Sequence, residues 1–155
     1  MIPMNTLSYK WPAEEFLRSI DIHELLPQQE PFVMTGRLVQ LDDARTVTET
    51  VICGDNIFVE DGCFSASGMI ENIAQTCAAR IGFVNKYVLK KDVQIGFIGA
   101  IRNFEVFDLP KVGQTITTIV DVREEVFGMT LASAQVKRDE QILAETEIKI
   151  AIKGE

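Results

Sequence analysis

The stretch SGMIENIAQTCAAR, residues 67–80, sets a single carboxylate, Glu71, among small and apolar side chains. Ile70, Ile73, Ala74, Cys77, Ile81 and Val84 recur at spacings of three and four, which predicts a helix with an apolar stripe. Glu71 lies beside that stripe, in line with Ala74, Gln75 and Ala78. Two of these neighbours are alanines, so a ligand has room to approach. A carboxylate taken out of water is costly unless it is paired, and burial favours its protonated, proton-donating form. The first turn of a helix, with its unpaired N–H groups, favours the ionised form instead. The competing interpretation is an ordinary first-turn glutamate with a capping or surface role.

Other reactive residue types are few. His23 is the single histidine, between Asp21 and Glu24 of an N-terminal helical segment. It would act on a substrate only by folding back onto Glu71; otherwise it is a boundary residue. Cys53, Cys63 and Cys77 are odd in number and form no C-x-x-C pair. That argues against a disulfide framework or a zinc site, and for a reducing, cytoplasmic setting. Cys63 falls in a loop-like stretch but has no evident base nearby, so it is read as an inert thiol.

The elements that would position Glu71 follow from periodicity. A chain of 155 residues makes one domain, 1–155, with enough apolar content (46%) for a real core. Residues 12–26 suit an N-terminal helix ended by Pro27 and Pro31. Phe32–Leu41 and Thr46–Ile52 read as a hairpin, and 53–66 as loop. The central helix is expected over about 67–85, with Ser67 as N-cap and Gly68 in its first turn. Four β-prone runs follow, starting near Gln94, Thr115, Val126 and Gln141. Ile148, Ile150 and Ile152 alternate with polar residues, as in a half-buried strand. One helix that is apolar on most sides needs something to wrap it, and a long curved antiparallel sheet is the economical solution. The expected class is therefore α+β. A net charge of −8 argues against a nucleic-acid partner. No apolar run reaches membrane-spanning length, and the N-terminal residues lack the apolar core of a signal peptide.

From Ile22 to the C-terminus the chain resembles the 3-hydroxyacyl-acyl carrier protein dehydratases of the hotdog fold. Three blocks carry the likeness in order: IDIHELLPQQEPFVMTGRLVQLD, GMIENIAQTCAAR and GFIGAIRNFEVFDLPKVGQTI. The resemblance implies a single hotdog domain, dimeric or larger, with Glu71 and Gln75 at the family's Glu-x-x-x-Gln positions. It implies removal of water from a 3-hydroxyacyl thioester carried on the phosphopantetheine of an acyl carrier protein or coenzyme A, in fatty-acid or polyene biosynthesis, with no other cofactor. A base takes the α-proton and an acid protonates the leaving hydroxyl. Backbone N–H groups at the helix start, here Ala66, Ser67 and Gly68, would face the thioester oxygen. A phosphopantetheine arm needs a narrow apolar channel, for which Phe58, Phe64 and Met69, flanking the Glu71 end of the helix, are candidates; the alternative is that they are plain core. Arg80, Lys86, Lys90 and Lys91 form a basic cluster for docking an acidic carrier, or simply a solvated charged surface.

The family's catalytic histidine belongs in the loop before the helix, and DNIFVEDGCFSASG contains none. The family's histidine after Leu-Leu-Pro is Gln28 here, and its proline before the helix is Ser65. Three readings follow. Glu60 or Asp61 replaces the histidine beside Glu71. Or the chain is a non-catalytic acyl-binding or partner subunit, completed by a His-bearing paralogue, as in the dehydratase-like subunits of polyene-pigment biosynthesis that it resembles. Or it is a hotdog thioesterase in which Glu71 activates water. A substrate thioester and at least a homodimer are the expected partners, because a single sheet of this kind leaves edges to cover.

Overall fold

The computed structural model describes residues 10–90, 92 and 96–152. After α1 (Glu14–Ser19) and a 3₁₀ turn (Ile22–Glu24) come β1 (Arg37–Leu41) and β2 (Arg45–Val51). A small hairpin, β3 (Val59–Glu60) and β4 (Cys63–Phe64), leads into α2 (Ala66–Phe83) and a π-turn (Val84–Val88). The chain ends in a meander: β5 (Gly96–Val106), β6 (Thr115–Val126), β7 (Met129–Arg138) and β8 (Gln141–Ile152). Six strands form one antiparallel sheet in the order β1-β2-β6-β7-β8-β5. Helix α2 touches every strand of it, so the sheet curves around the helix as expected.

The apolar periodicity explains the packing. Met69, Ile73, Cys77 and Ile81 of α2 meet Ile116, Val120, Ala132, Val136, Leu143 and Ile148 in one continuous core. A second cluster joins Leu17, Ile22 and Leu25 to Leu38, Ala79, Phe83 and Val84. The N-terminal segment thus lids the end of α2 and packs α1 against edge strand β1. Among the described residues the opposite edge, β5, pairs only with β8; Ile98, Ile101 and Val106 on it, and Phe107 just after it, are exposed.

Several boundaries differ from expectation. The N-terminal helix is one short α-helix and a 3₁₀ turn rather than a single run over 12–26. β1 begins at Arg37, not Phe32, because side chains of α2 take up the backbone of 32–34. The N-cap of α2 is Ser65 rather than Ser67: its extended backbone lets its hydroxyl accept the Gly68 N–H at 3.2 Å. The supposed loop 53–66 contains a hairpin, turned by Asp61 and Gly62 at positive φ (52° and 78°).

Close approach excludes a side chain at Gly82. A Cβ on Gly82 would collide with the Leu25 carbonyl oxygen, where the lid segment lies directly on α2. Gly82→Ala is expected to lower stability by about 1–3 kcal/mol, read as a reduced urea midpoint with little change in slope.

Candidate active site

Glu71 is half-buried on the one side of α2 that the chain's own sheet leaves partly open, in line with Ala74 and Ala78. These three residues line a cavity of about 230 Å³ with Gln28, Ile81, Ile150 and, from the uncovered edge strand, Gly96 and Ile98. The small side chains on Glu71's line make that space. A larger concavity, about 350 Å³, lies over polar residues such as Asn103, Asp121, Arg123 and Glu145, and no residue of α2 lines it.

Glu71 does not stand alone. Its Oε2 accepts a hydrogen bond from Gln75 Nε2 at 2.9 Å, one turn along the helix. The same amide nitrogen donates to Phe32 O at 2.8 Å, and Gln75 Oε1 accepts the Met34 N–H at 2.7 Å. Asn72 works beside it: Nδ2 donates to Met34 O (2.8 Å) and Thr50 Oγ1 (3.2 Å), and Oδ1 accepts from Thr118 Oγ1 (2.5 Å). Gln75 and Asn72 are fully buried. Every polar group named here has its partner, the condition under which a buried polar network is stable. Asn72 and the Met34 contact of Gln75 escaped the sequence reading. Their signal was the run of polar residues, Glu71, Asn72, Gln75 and Thr76, inside a helix otherwise read as buried.

The remaining candidates separate clearly. Gln28 lines the Glu71 cavity, and its Oε1 is buried without a hydrogen-bond partner. Glu60 and Asp61 are exposed at the β3–β4 turn and line no part of the Glu71 cavity. Phe64 and Met69 are completely buried in the core, with Phe58 packed against it, so they do not wall the cavity. Gly68 is needed for that packing: a Cβ there would stand 2.5 Å from the Phe64 ring. Its N–H is used by the Ser65 cap, which removes it from the donors available to a thioester and leaves Ala66 and Ser67.

Arg80 is corrected outright. It is 7% exposed and donates to the carbonyls of Asp42 (2.8 Å) and Asp43 (2.7 Å) and to Thr46 Oγ1 (3.1 Å). It anchors the β1–β2 turn and faces no carrier, because a buried guanidinium needs acceptors and this turn supplies them. Lys86 is exposed and pairs with Glu24 at 3.2 Å; Lys90 is exposed and donates to Tyr87 O. Lys91 lies outside the described residues. Cys77 is buried, which pushes its thiol up to about 12 and keeps it neutral. Cys63 is partly buried at the strand that meets Lys111. Among the described residues, no cluster of His, Cys, Asp and Glu is arranged to hold a metal ion.

His23 lines no part of the Glu71 cavity. It is exposed, with Nδ1 2.6 Å from Asp21 and Nε2 3.5 Å from Glu30. The hydrogen bond to Asp21 raises its pKa above the ordinary 6.5, and the same contact lowers that of Asp21.

Residues 20–153 match the family model for ApeP-like proteins, described as ApeP dehydratase. A search of curated proteins finds no match. Among solved structures, the chain is similar to the dehydratase heterocomplex ApeI:P from Xenorhabdus doucetiae, with TM-score 0.82 and 14% identity over 89% of this chain and 94% of that one. It is also similar to the E. coli PaaI protein of the phenylacetic acid degradation operon (TM-score 0.57, 10% identity, 74% and 80% covered). A hypothetical thioesterase from Streptococcus pneumoniae, solved with coenzyme A, gives TM-score 0.59 and 9% identity over 76% and 88%. At these identities the structural likeness is one of fold.

Two outcomes test the site's construction. Gln75→Leu strands the Met34 N–H in the interior and should cost about 1–3 kcal/mol; it should also speed amide exchange at Met34, measured by NMR. The contribution of His23 is fully present below pH 6.5 and lost as pH rises through its higher folded-state pKa. A melting-temperature series across that range should show this decline in the wild type and not in His23→Ala.

Proposed function

The chain belongs to the ApeP-like dehydratase family, and from that premise we propose that it forms one half of an acyl-thioester dehydratase site, with Glu71 as the acid. One observation carries the reading. Glu71 is held by Gln75 in a cavity whose lining includes the uncovered edge strand and contains no histidine. A carboxylate so placed has a fixed direction and an approach for substrate, but not the base that elimination requires.

The substrate is a 3-hydroxyacyl thioester on the phosphopantetheine of an acyl carrier protein or coenzyme A, in fatty-acid or polyene biosynthesis. Glu71 gives its proton to the 3-oxygen as the C3–O bond breaks. A base takes the α-proton, and its electron pair becomes the C2=C3 double bond. The N–H groups of Ala66 and Ser67, at the start of α2, suit the charge that grows on the thioester oxygen. Glu60 and Asp61 line no part of the Glu71 cavity, so the base comes from a second polypeptide: the imidazole of a His-bearing paralogue. The heterocomplex of the similar X. doucetiae protein supports this. So does the β5 edge, which exposes Ile98 at the cavity and Ile101 and Val106 farther along the strand. Lys86 and Lys90 remain for docking an acidic carrier. The free thiols accord with the cytoplasm, and no helix among the described residues is long and apolar enough to cross a membrane.

The test pairs the chain with a His-bearing paralogue and follows enoyl-thioester formation by absorbance. The chain alone should turn over nothing, and the pair should be active. Glu71→Gln should lower the rate by about 10²–10⁴-fold while the pair still assembles. An unaltered rate in that variant would overturn the role of Glu71. Release of free thiol from acyl-CoA by the chain alone would favour hydrolysis instead.

A further inference from the structure

The two-residue loop between β6 and β7 has an unusual first residue. Val126 and Met129 close the loop, and Phe127 and Gly128 form it, both at positive φ (51° and 74°). A turn of this kind takes Asn, Asp or Gly at its first position, because a bulky side chain in the left-handed region is strained. The chain follows that rule elsewhere: Asp61 and Asp139 hold the first place of the β3–β4 and β7–β8 loops, each at φ 52°. Phe127 departs from it and is also 98% exposed. A scattered exposed apolar residue is ordinary. One held on a strained backbone with its whole ring in water gains nothing within its own chain.

Beside this ring lies a hollow. Val126, Met129 and Leu131, with Glu124 and Lys149, line a cavity of about 270 Å³. It opens on the sheet face turned away from α2, since the alternate residues Ala132, Ile148 and Ile150 belong to the core around the helix. Register sets Glu124, Leu131 and Lys149 in one row across β6, β7 and β8. Among the described residues, neither Glu124 nor Lys149 has an ion-pair partner.

We propose that this end of the sheet is an interface between two copies of the chain, in which each Phe127 seats in the other copy's hollow. A projecting ring and a hollow on one patch are what a two-fold contact requires, because a single rotation satisfies both at once. The charges select the axis. An axis along β7 at Leu131 brings each Glu124 over the other copy's Lys149, whereas an axis across the strands would set Glu124 over Glu124. Opposite charges at the edge of a buried aromatic anchor fix register and exclude wrong partners. The ring then leaves water, which offsets the strain of its backbone. The surface is distinct from the β5 edge, which lies two strands away from β7, so it does not depend on what covers that edge.

Sedimentation velocity of the full-length chain over a dilution series tests this. The wild type should reach twice the mass of Phe127→Asn, whose dissociation constant should be higher by about 10-fold or more. Phe127→Asp serves as a second variant with the residue the other loops use. Thermal unfolding at a dilution where both proteins are dissociated separates an interface role from an internal one. There Phe127→Asn should melt at or above the wild type, because Asn suits the left-handed backbone. A lower melting temperature would place the ring within its own chain and overturn the proposal. The charges give an independent check. Lys149→Glu should weaken the doubling, and adding Glu124→Lys to it should restore it. Failure of that restoration would overturn the two-fold arrangement, and equal masses of wild type and Phe127→Asn at every concentration would overturn the interface. An effect of Phe127→Asn seen only in a mixture with the His-bearing paralogue would give the hollow to that protein and overturn the pairing of copies.

Discussion

The side chain of Gln75 ties together the parts on which the site depends. One amide group, buried in the middle of α2, accepts from the backbone of Met34, donates to the backbone of Phe32 and donates to Glu71. Each contact has its own consequence. The first two bind the segment before β1 to the helix and stop the strand from starting earlier. The third orients the carboxylate. Because the amide is fully buried, water cannot substitute for any of these bonds, so loop position and acid orientation are set together. Asn72 reinforces the arrangement by joining the same segment to Thr50 on β2 and Thr118 on β6.

Around this network the helix is covered unevenly, and the unevenness makes the cavity. Where large apolar residues face the sheet, the packing is closed, as at Met69 and Ile73. Where Ala74 and Ala78 follow Glu71, the side chains are too short to fill the space and a cavity remains. Its other wall is built by strand β5, whose outer edge is unpaired, whereas the opposite edge strand, β1, is packed by α1. The fold thus protects one edge with its own N-terminal segment and leaves open the edge that carries the site.

Arg80 illustrates how composition misleads where burial is hidden. In sequence it joins a cluster of lysines and reads as part of a basic patch. In the folded chain it turns inward to acceptors on the β1–β2 turn and the start of β2, while Lys86 and Lys90 stay at the surface. The long side chain permits either outcome, and only the position of a loop some 35 residues away in sequence decides between them.

Local pattern was enough for the architecture. The three-and-four spacing from Ile70 to Val84 determined a helix, the alternation from Glu147 to Lys149 a half-buried strand, and their order an antiparallel sheet around that helix. The family likeness of the Glu71–Gln75 pair was legible too, because the helical period places the two side chains one turn apart. Tertiary structure alone decided the rest. Gln28 enters the Glu71 cavity across 43 residues of chain, which no local period encodes. Ser65 rather than Ser67 caps the helix because of backbone conformation, not residue type, since both are serines. Whether Phe64 walls a channel or fills the core depended on what surrounds it. Periodicity reports which face a residue occupies; which distant groups share a buried space is settled by packing.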